Sequence, residues 1–266
     1  MKTLKVLLLI SASVLITVGV VFTVKAPVLC TPVVTSRGAL TTAAIDTMTG
    51  TIDATGCDIG DYITTSLTVS SLTVHDADKY GIFVDSGLGS ITVSITGATV
   101  YYIGAHAGAV FMPDGVQKGI GIIYDSGATP APLAKGTIDS SIIYAYQKDG
   151  IEINRNSNVN TTNTSVNGLG PVTFIAQNGI QYSRGATGVI RGNTVSNNFY
   201  TGTVGVLADG SSCGTSTTSP CPPGRRYVST GILLFDIDPS AIQRGQNDLN
   251  NGNQRNFAVI TDAALG

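Results

Sequence analysis

The stretch "GLGPVTFIAQNGIQYSRGATGVIRGNTVSNNFYTG", Gly168–Gly202, decides the fold. Glycine interrupts it too often for a helix, and its isolated Ile and Val residues make it too apolar for a disordered linker. The same pattern recurs along the chain as GIFVDSG from Gly81, GIIYDSG from Gly121, GIEINRN from Gly150, GIQYSRG itself from Gly179, and GILLFDI from Gly231. The second place is always Ile, and the fourth is Val84, Tyr124, Ile153, Tyr182 or Leu234. Alternation of period two puts these places on one face of short strands. The third place varies freely (Phe83, Ile123, Glu152, Gln181, Leu233), as an outward column does.

A further strand with Ile or Val spaced by two follows most of these units, as in GSITVSITGATV, KGTIDSSIIYAY and TGVIRGNTVSNNFYTG. The unit repeats at roughly 30 residues, with a longer gap before Gly231. Short strands repeating without a helical period predict an all-β fold, a right-handed parallel β-helix or solenoid whose coils stack like residue on like residue. Ile82, Ile122, Ile151, Ile180 and Ile232 should form the buried ladder, glycines the corners, and Asn163 with Asn193 part of an asparagine ladder. A β-sandwich is the rival fold, with Asn-Gly turns at Asn167, Asn178 and Asn251.

Only 12% of the residues are charged and 42% are hydrophobic, with a formal net charge of −2, which excludes a disordered chain and a basic nucleic-acid surface. Lys2 and Lys5 precede an apolar run from Val6 to Val24, so residues 1–26 read as a signal peptide or an N-terminal membrane-anchor helix. Cleavage after Ala26 suits the small-residue rule, whereas Pro27 opposes it. Export places the protein outside the cell or at its surface, where the four cysteines should be oxidised. Nearest-neighbour pairing gives Cys30–Cys57 and Cys213–Cys221, the second closing the loop CGTSTTSPC. No C-x-x-C spacing occurs and His75 and His106 lie away from any cysteine, so no metal site is expected. Residues 27–62 are expected to form an N-terminal cap with the first strands, and residues 63–266 the β-helix, interrupted by a disulfide loop near 208–226.

GIQYSRGATGVIRGNTVSNN resembles a coil of the right-handed parallel β-helix superfamily that includes pectate lyases. GTIDATGCDIGDY, YQKDGI and the opening stretch are similar to a group of exported prokaryotic β-helix repeat proteins without a settled activity. The resemblance implies a fold, and it admits binding modules, structural proteins, lyases and hydrolases alike. Uronate lyases of this superfamily hold calcium with acidic residues on neighbouring coils and use a basic residue, and its hydrolases use paired carboxylates. The matching edge here would carry Asp85, Asp125, Arg155 and Arg184, which are weak catalytic candidates because DSG and SRG are also ordinary turns. Calcium is a cofactor only under that lyase alternative. Gln147, Lys148, Glu152, Gln177 and Gln181 would form an outward polar strip for sugar hydroxyls. His106 reads as a packed residue, and the tyrosines at 101, 102, 144, 146 and 200 as packing or stacking groups. The expectation is therefore an exported, non-catalytic module whose partner is extracellular polysaccharide or the cell envelope. A polysaccharide lyase or glycoside hydrolase is the alternative.

Overall fold

The computed structural model describes residues 29–38, 40–44, 50–87, 89–127, 133–207, 211–214, 221–222, 224–245, 248–249 and 252–260. The expected export or anchor segment, residues 1–26, lies outside them. Among the described residues no helix is long and apolar enough to cross a membrane.

The chain visits three sheets in fixed rotation. One coil runs through Tyr80–Asp85, Ile91–Thr96 and Thr99–Ile103, and the next through Ile120–Asp125, Ala134–Asp139 and Ile142–Tyr146. Two more follow, through Asp149–Asn154, Asn158–Thr162 and Ser165–Val172, then through Asn178–Ser183, Gly188–Arg191 and Thr194–Tyr200. Corresponding strands pair in parallel, which builds a first sheet of 9 strands, a second of 6 and a third of 7 among the described residues. Ile82, Ile122, Ile151, Ile180 and Ile232 are mutual register partners in the first sheet, and each is at most 1% exposed. Parallel stacking rules out the sandwich, whose neighbouring strands would run antiparallel. Asn167 and Asn178 lie inside strands rather than in hairpin turns, and Asn251 is outside the described residues.

The repeated glycine is a point of close approach rather than the expected corner. A Cβ on Gly121 would sit 2.5 Å from the carbonyl oxygen of Gly150 and 2.6 Å from Ile143 Cγ2. Gly81 meets the carbonyl of Gly121 in the same way. Each glycine lets the next coil's backbone and a third-sheet core residue occupy the space of its missing side chain. The corner between the second and third sheets is instead a left-handed column of Ser71 (φ 54), Gly97 (φ 65), Ser140 (φ 50) and Asn163 (φ 50). Their N–H groups donate along the stack to Thr96, Asp139, Thr162 and Arg191 carbonyls, so the strained corners are hydrogen-bonded.

The expected asparagine ladder is staggered. Asn163 belongs to that corner column, whereas Asn193 stands one place further on, in a buried column with Thr164, Ser141 and Ala98. There Asn193 Oδ1 accepts from Thr164 N, Thr164 Oγ1 from Ser141 N, and Ser141 Oγ from Ala98 N. One polar side chain per coil satisfies the backbone of the coil before it.

Thr31–Val34 and Leu40–Ala43 pair antiparallel at one end of the first sheet, and Ala43 bridges to Ile59. The Cys30–Cys57 disulfide ties this end, with a Cα separation of 5.5 Å. The strand Ile59–Ile63 runs through the expected boundary at residue 62, so the cap and the solenoid share a sheet. The Cys213–Cys221 disulfide closes the second predicted loop, with a Cα separation of 5.0 Å. Two disulfides fit an oxidising compartment outside the cytoplasm. The C-terminal segment adds a further parallel strand, Arg255–Ile260, beside Thr230–Phe235. The outward third place is not all solvent-facing. Phe83 and Ile123 are buried, and the Arg37 guanidinium from the first turn lies 6.0 Å from the Phe83 ring and 5.7 Å from that of Tyr80.

Candidate functional site

Asp85 and Asp125 are direct register partners, although 40 residues separate Gly81 from Gly121. The extra length leaves the coil as excursions, among them the segment carrying the small hairpin of His106–Ala107 and Val110–Phe111. Both carboxylates are buried and taken up by the chain itself. Asp85 Oδ2 accepts from Ser36 N at 2.7 Å and Tyr62 OH at 2.9 Å, and its Oδ1 from Gly87 N at 3.0 Å. Asp125 Oδ2 accepts from Arg37 Nε at 2.6 Å, and its Oδ1 from Gly127 N at 3.0 Å. Arg155 Nε lies 3.7 Å from Asp125 Oδ1. Arg184 sits a coil further on, donating to Asn154 Oδ1 at 3.4 Å, with its guanidinium 6.0 Å from the Phe235 ring. Asp85, Asp125 and Arg155 therefore meet, Arg184 stands apart, and the two aspartates pin the N-terminal turn to the sheet.

The polar strip divides, and three of its five members, Gln147, Gln177 and Glu152, are buried rather than open to a ligand. Gln147 and Gln177 are completely buried and do not face outward. Gln147 Oε1 accepts from Ala105 N and Asp114 N, and its Nε2 donates to Asp114 Oδ1 and Val116 O. Gln177 Oε1 accepts from Leu169 N and its Nε2 donates to Tyr146 O. These amides occur where the coil bulges, because irregular backbone must find hydrogen-bond partners when it is buried. Glu152 is 5% exposed and lies 3.7 Å from Arg37. Burial raises its pKa to about 7, Arg37 opposes the rise, and Asp149 and Asp125 add to it. Asp149, also buried, is shifted upward by desolvation.

Lys148 and Gln181 do reach an accessible feature, a cleft of about 590 Å³ on the outer face of the first sheet. Lys148, Arg184, Arg225, Arg226 and Arg255 line it. Asn178 and Gln181 supply amides, and Leu233, Phe235 and Tyr227 supply apolar surface. Strands position Asn178, Gln181, Leu233 and Arg255, while the long excursion before Thr230 brings Arg225 and Arg226 over the face. These five cations come from a chain with 15 Lys and Arg, and among the described residues no Asp or Glu lines the cleft. Among the described residues, none of the five makes an ion pair with a carboxylate. Lys148 Nζ donates instead to the carbonyl of Ala176. The clustering was not legible in the sequence, because Arg225, Arg226 and Arg255 lie outside the aligned repeat.

Far along the solenoid, at its N-terminal end, Asp53, His75 and Asp76 bring one ligand atom each within 4.8 Å of one another. His106 approaches Asp76 from the small hairpin, and Tyr101 and Tyr144 continue a stack of rings from His75. No family model matches the chain, and no curated protein or solved structure is detectably similar to it.

Proposed function

We propose that this chain is an exported protein of the right-handed parallel β-helix type, pectate-lyase-like in fold, that binds an acidic extracellular polysaccharide without cleaving it. The carrying observation is the cleft whose walls hold five cations and, among the described residues, no carboxylate. Five clustered cations repel one another, buried Glu152 and Asp149 offset only part of that through Arg184 and Lys148, and an anionic ligand relieves the remainder. Guanidinium forks match the carboxylates of uronate units or the sulfates of sulfated sugars. Tyr227 and Phe235 offer apolar faces to pyranose rings, and Asn178 and Gln181 offer donors and acceptors to hydroxyls. The occupied oxygens of Asp85 and Asp125 favour binding over calcium-dependent elimination, which needs several carboxylate oxygens directed at one ion.

One observation favours the second reading, a hydrolase or lyase. Glu152, register partner of Gln181 in the adjacent coil, is held at about 7, a value suited to a general acid or base. Affinity electrophoresis through gels containing polygalacturonate or dextran separates the two readings when product is also followed by reducing ends and ultraviolet absorbance. The expected result is retardation by polygalacturonate alone, with no product. Turnover lost in Glu152→Gln would establish the enzymatic reading, and equal mobility in both gels would remove the binding one.

A further inference from the structure

The structure assigns a divalent transition-metal site to Asp53, His75 and Asp76, with His106 as the outer residue that orients Asp76. It lies on the third sheet, and its function is independent of the cleft.

Asp53 ends the strand Gly50–Asp53, His75 ends the strand Leu72–His75, and the two are direct register partners. Residues opposite each other on neighbouring strands of one face hold their side chains side by side. Asp76 follows immediately, at a corner with φ 62 that folds its carboxylate back over the pair. Asp76 Oδ2 stands 2.6 Å from His75 Nδ1, and its Oδ1 stands 3.3 Å from His106 Nε2. The three ligand atoms fall within 4.8 Å of one another, and His75 and Asp76 are half-buried, with side chains 14% and 17% exposed.

The supporting contacts are those that a metal site requires. Thr55 N and Oγ1 both hold Asp53 Oδ1, which fixes that carboxylate. The Tyr101 ring stacks on His75 at 5.0 Å and 16°, which fixes the imidazole plane. His106 holds the second oxygen of Asp76 and is itself packed against Phe111. Hydrogen-bonded carboxylates and an oriented imidazole are the usual outer shell of a metal centre.

The donor set selects the ion. One imidazole nitrogen with two carboxylate oxygens suits zinc or its first-row neighbours, and calcium or magnesium would call for oxygen donors throughout. Tetrahedral bonds of about 2.0–2.1 Å separate ligand atoms by about 3.3 Å. The His75–Asp76 contact at 2.6 Å therefore has to open by a fraction of an ångström, which rotation of two partly exposed side chains supplies. Three protein ligands would leave a fourth position for water. The cluster is not legible in the sequence, because Asp53 and His75 are 22 residues apart and meet only through strand register.

The test uses the untagged, disulfide-intact protein and Co²⁺ as a spectroscopic stand-in for zinc, with Zn²⁺ competition. The expected result is one equivalent of Co²⁺ with visible absorption, displaced by Zn²⁺ and weakening as pH falls and imidazole is protonated. His75→Gln should abolish the spectrum, Asp53→Asn should do the same, and His106→Gln should weaken binding by about 10-fold or more while leaving the absorption band. Circular dichroism of each variant establishes that the solenoid is intact. No Co²⁺ absorption with the folded protein, or a spectrum that survives both His75→Gln and Asp53→Asn, would overturn the assignment. So would equal binding of Mg²⁺ in competition.

Discussion

Replacing Gly121 by Ala sets two physical effects against each other. Gly121 does not have a positive φ, so its backbone conformation accepts alanine. Loss of unfolded-state freedom alone would then make Gly121→Ala stabilising by about 0.4–1 kcal/mol. The packing predicts the opposite sign. The new methyl would lie 2.5 Å from the Gly150 carbonyl oxygen and 2.6 Å from Ile143 Cγ2, about 1 Å inside an optimal separation of about 3.5–4.0 Å. Neither neighbour yields readily, since one is ladder backbone and the other is a core side chain 1% exposed. Overpacking costs about 1–3 kcal/mol and a weakened ladder hydrogen bond about 1 kcal/mol, so the net expectation is about 1–3 kcal/mol of destabilisation. Urea unfolding followed by far-ultraviolet circular dichroism reads this as a lower midpoint at unchanged slope. In the Ile143→Ala background the same change should cost less, because one of the two clashing atoms is gone. An unchanged or raised midpoint for Gly121→Ala would refute close approach as the reason for the repeated glycine.

Ile180→Ala should cost about 2–5 kcal/mol at a fully buried site, while Ile142→Ala, 50% exposed, should stay within about 0.5 kcal/mol; equal midpoints for the two would contradict the inward ladder. The Cys30–Cys57 bridge spans 27 residues, and on the chain-entropy account its removal costs about 3.5 kcal/mol. Non-reducing peptide mapping should recover Cys30–Cys57 and Cys213–Cys221, and any crossed pair would contradict the arrangement. Folding raises the Glu152 pKa from 4.5 to about 7 through burial, so the native state holds a proton that the unfolded chain releases. Its contribution to stability is full below about pH 4.5 and is lost as pH rises towards 7, so Glu152→Gln should flatten that part of the stability–pH curve. A curve identical to the wild type's would show that the carboxyl is not desolvated.

Much of the fold was legible because the solenoid writes itself into a repeat. Ile82, Ile122, Ile151, Ile180 and Ile232 share one register in the sequence and one ladder in space. What the sequence hid are features that depend on how far one coil travels. The column of Asp85 and Asp125 was visible, but its adjacency depended on excursions leaving the coil between them. Gln147 and Gln177 look like surface polars in one dimension, yet they are buried because excursions beside them leave backbone groups to satisfy. Arg37 was invisible as a partner of Asp125, since a turn 88 residues away places it there. The repeated glycine was read as a turn signal, and only the stacking distance between coils shows that it makes room for the next strand.

The central claim is that the cationic cleft holds an acidic polysaccharide, and calorimetric titration with an oligogalacturonate of defined length tests it most directly. Arg184 follows the strand Asn178–Ser183, Arg255 opens the strand Arg255–Ile260, and neither makes an ion pair among the described residues, so Arg184→Gln/Arg255→Gln removes cleft charge without breaking a salt bridge. The wild type should bind with an affinity that falls as salt screens the cations, and the double variant should bind at least about tenfold more weakly, about 1.4 kcal/mol. Undiminished binding by the double variant, or equal binding of a neutral oligosaccharide of the same length, would contradict the claim.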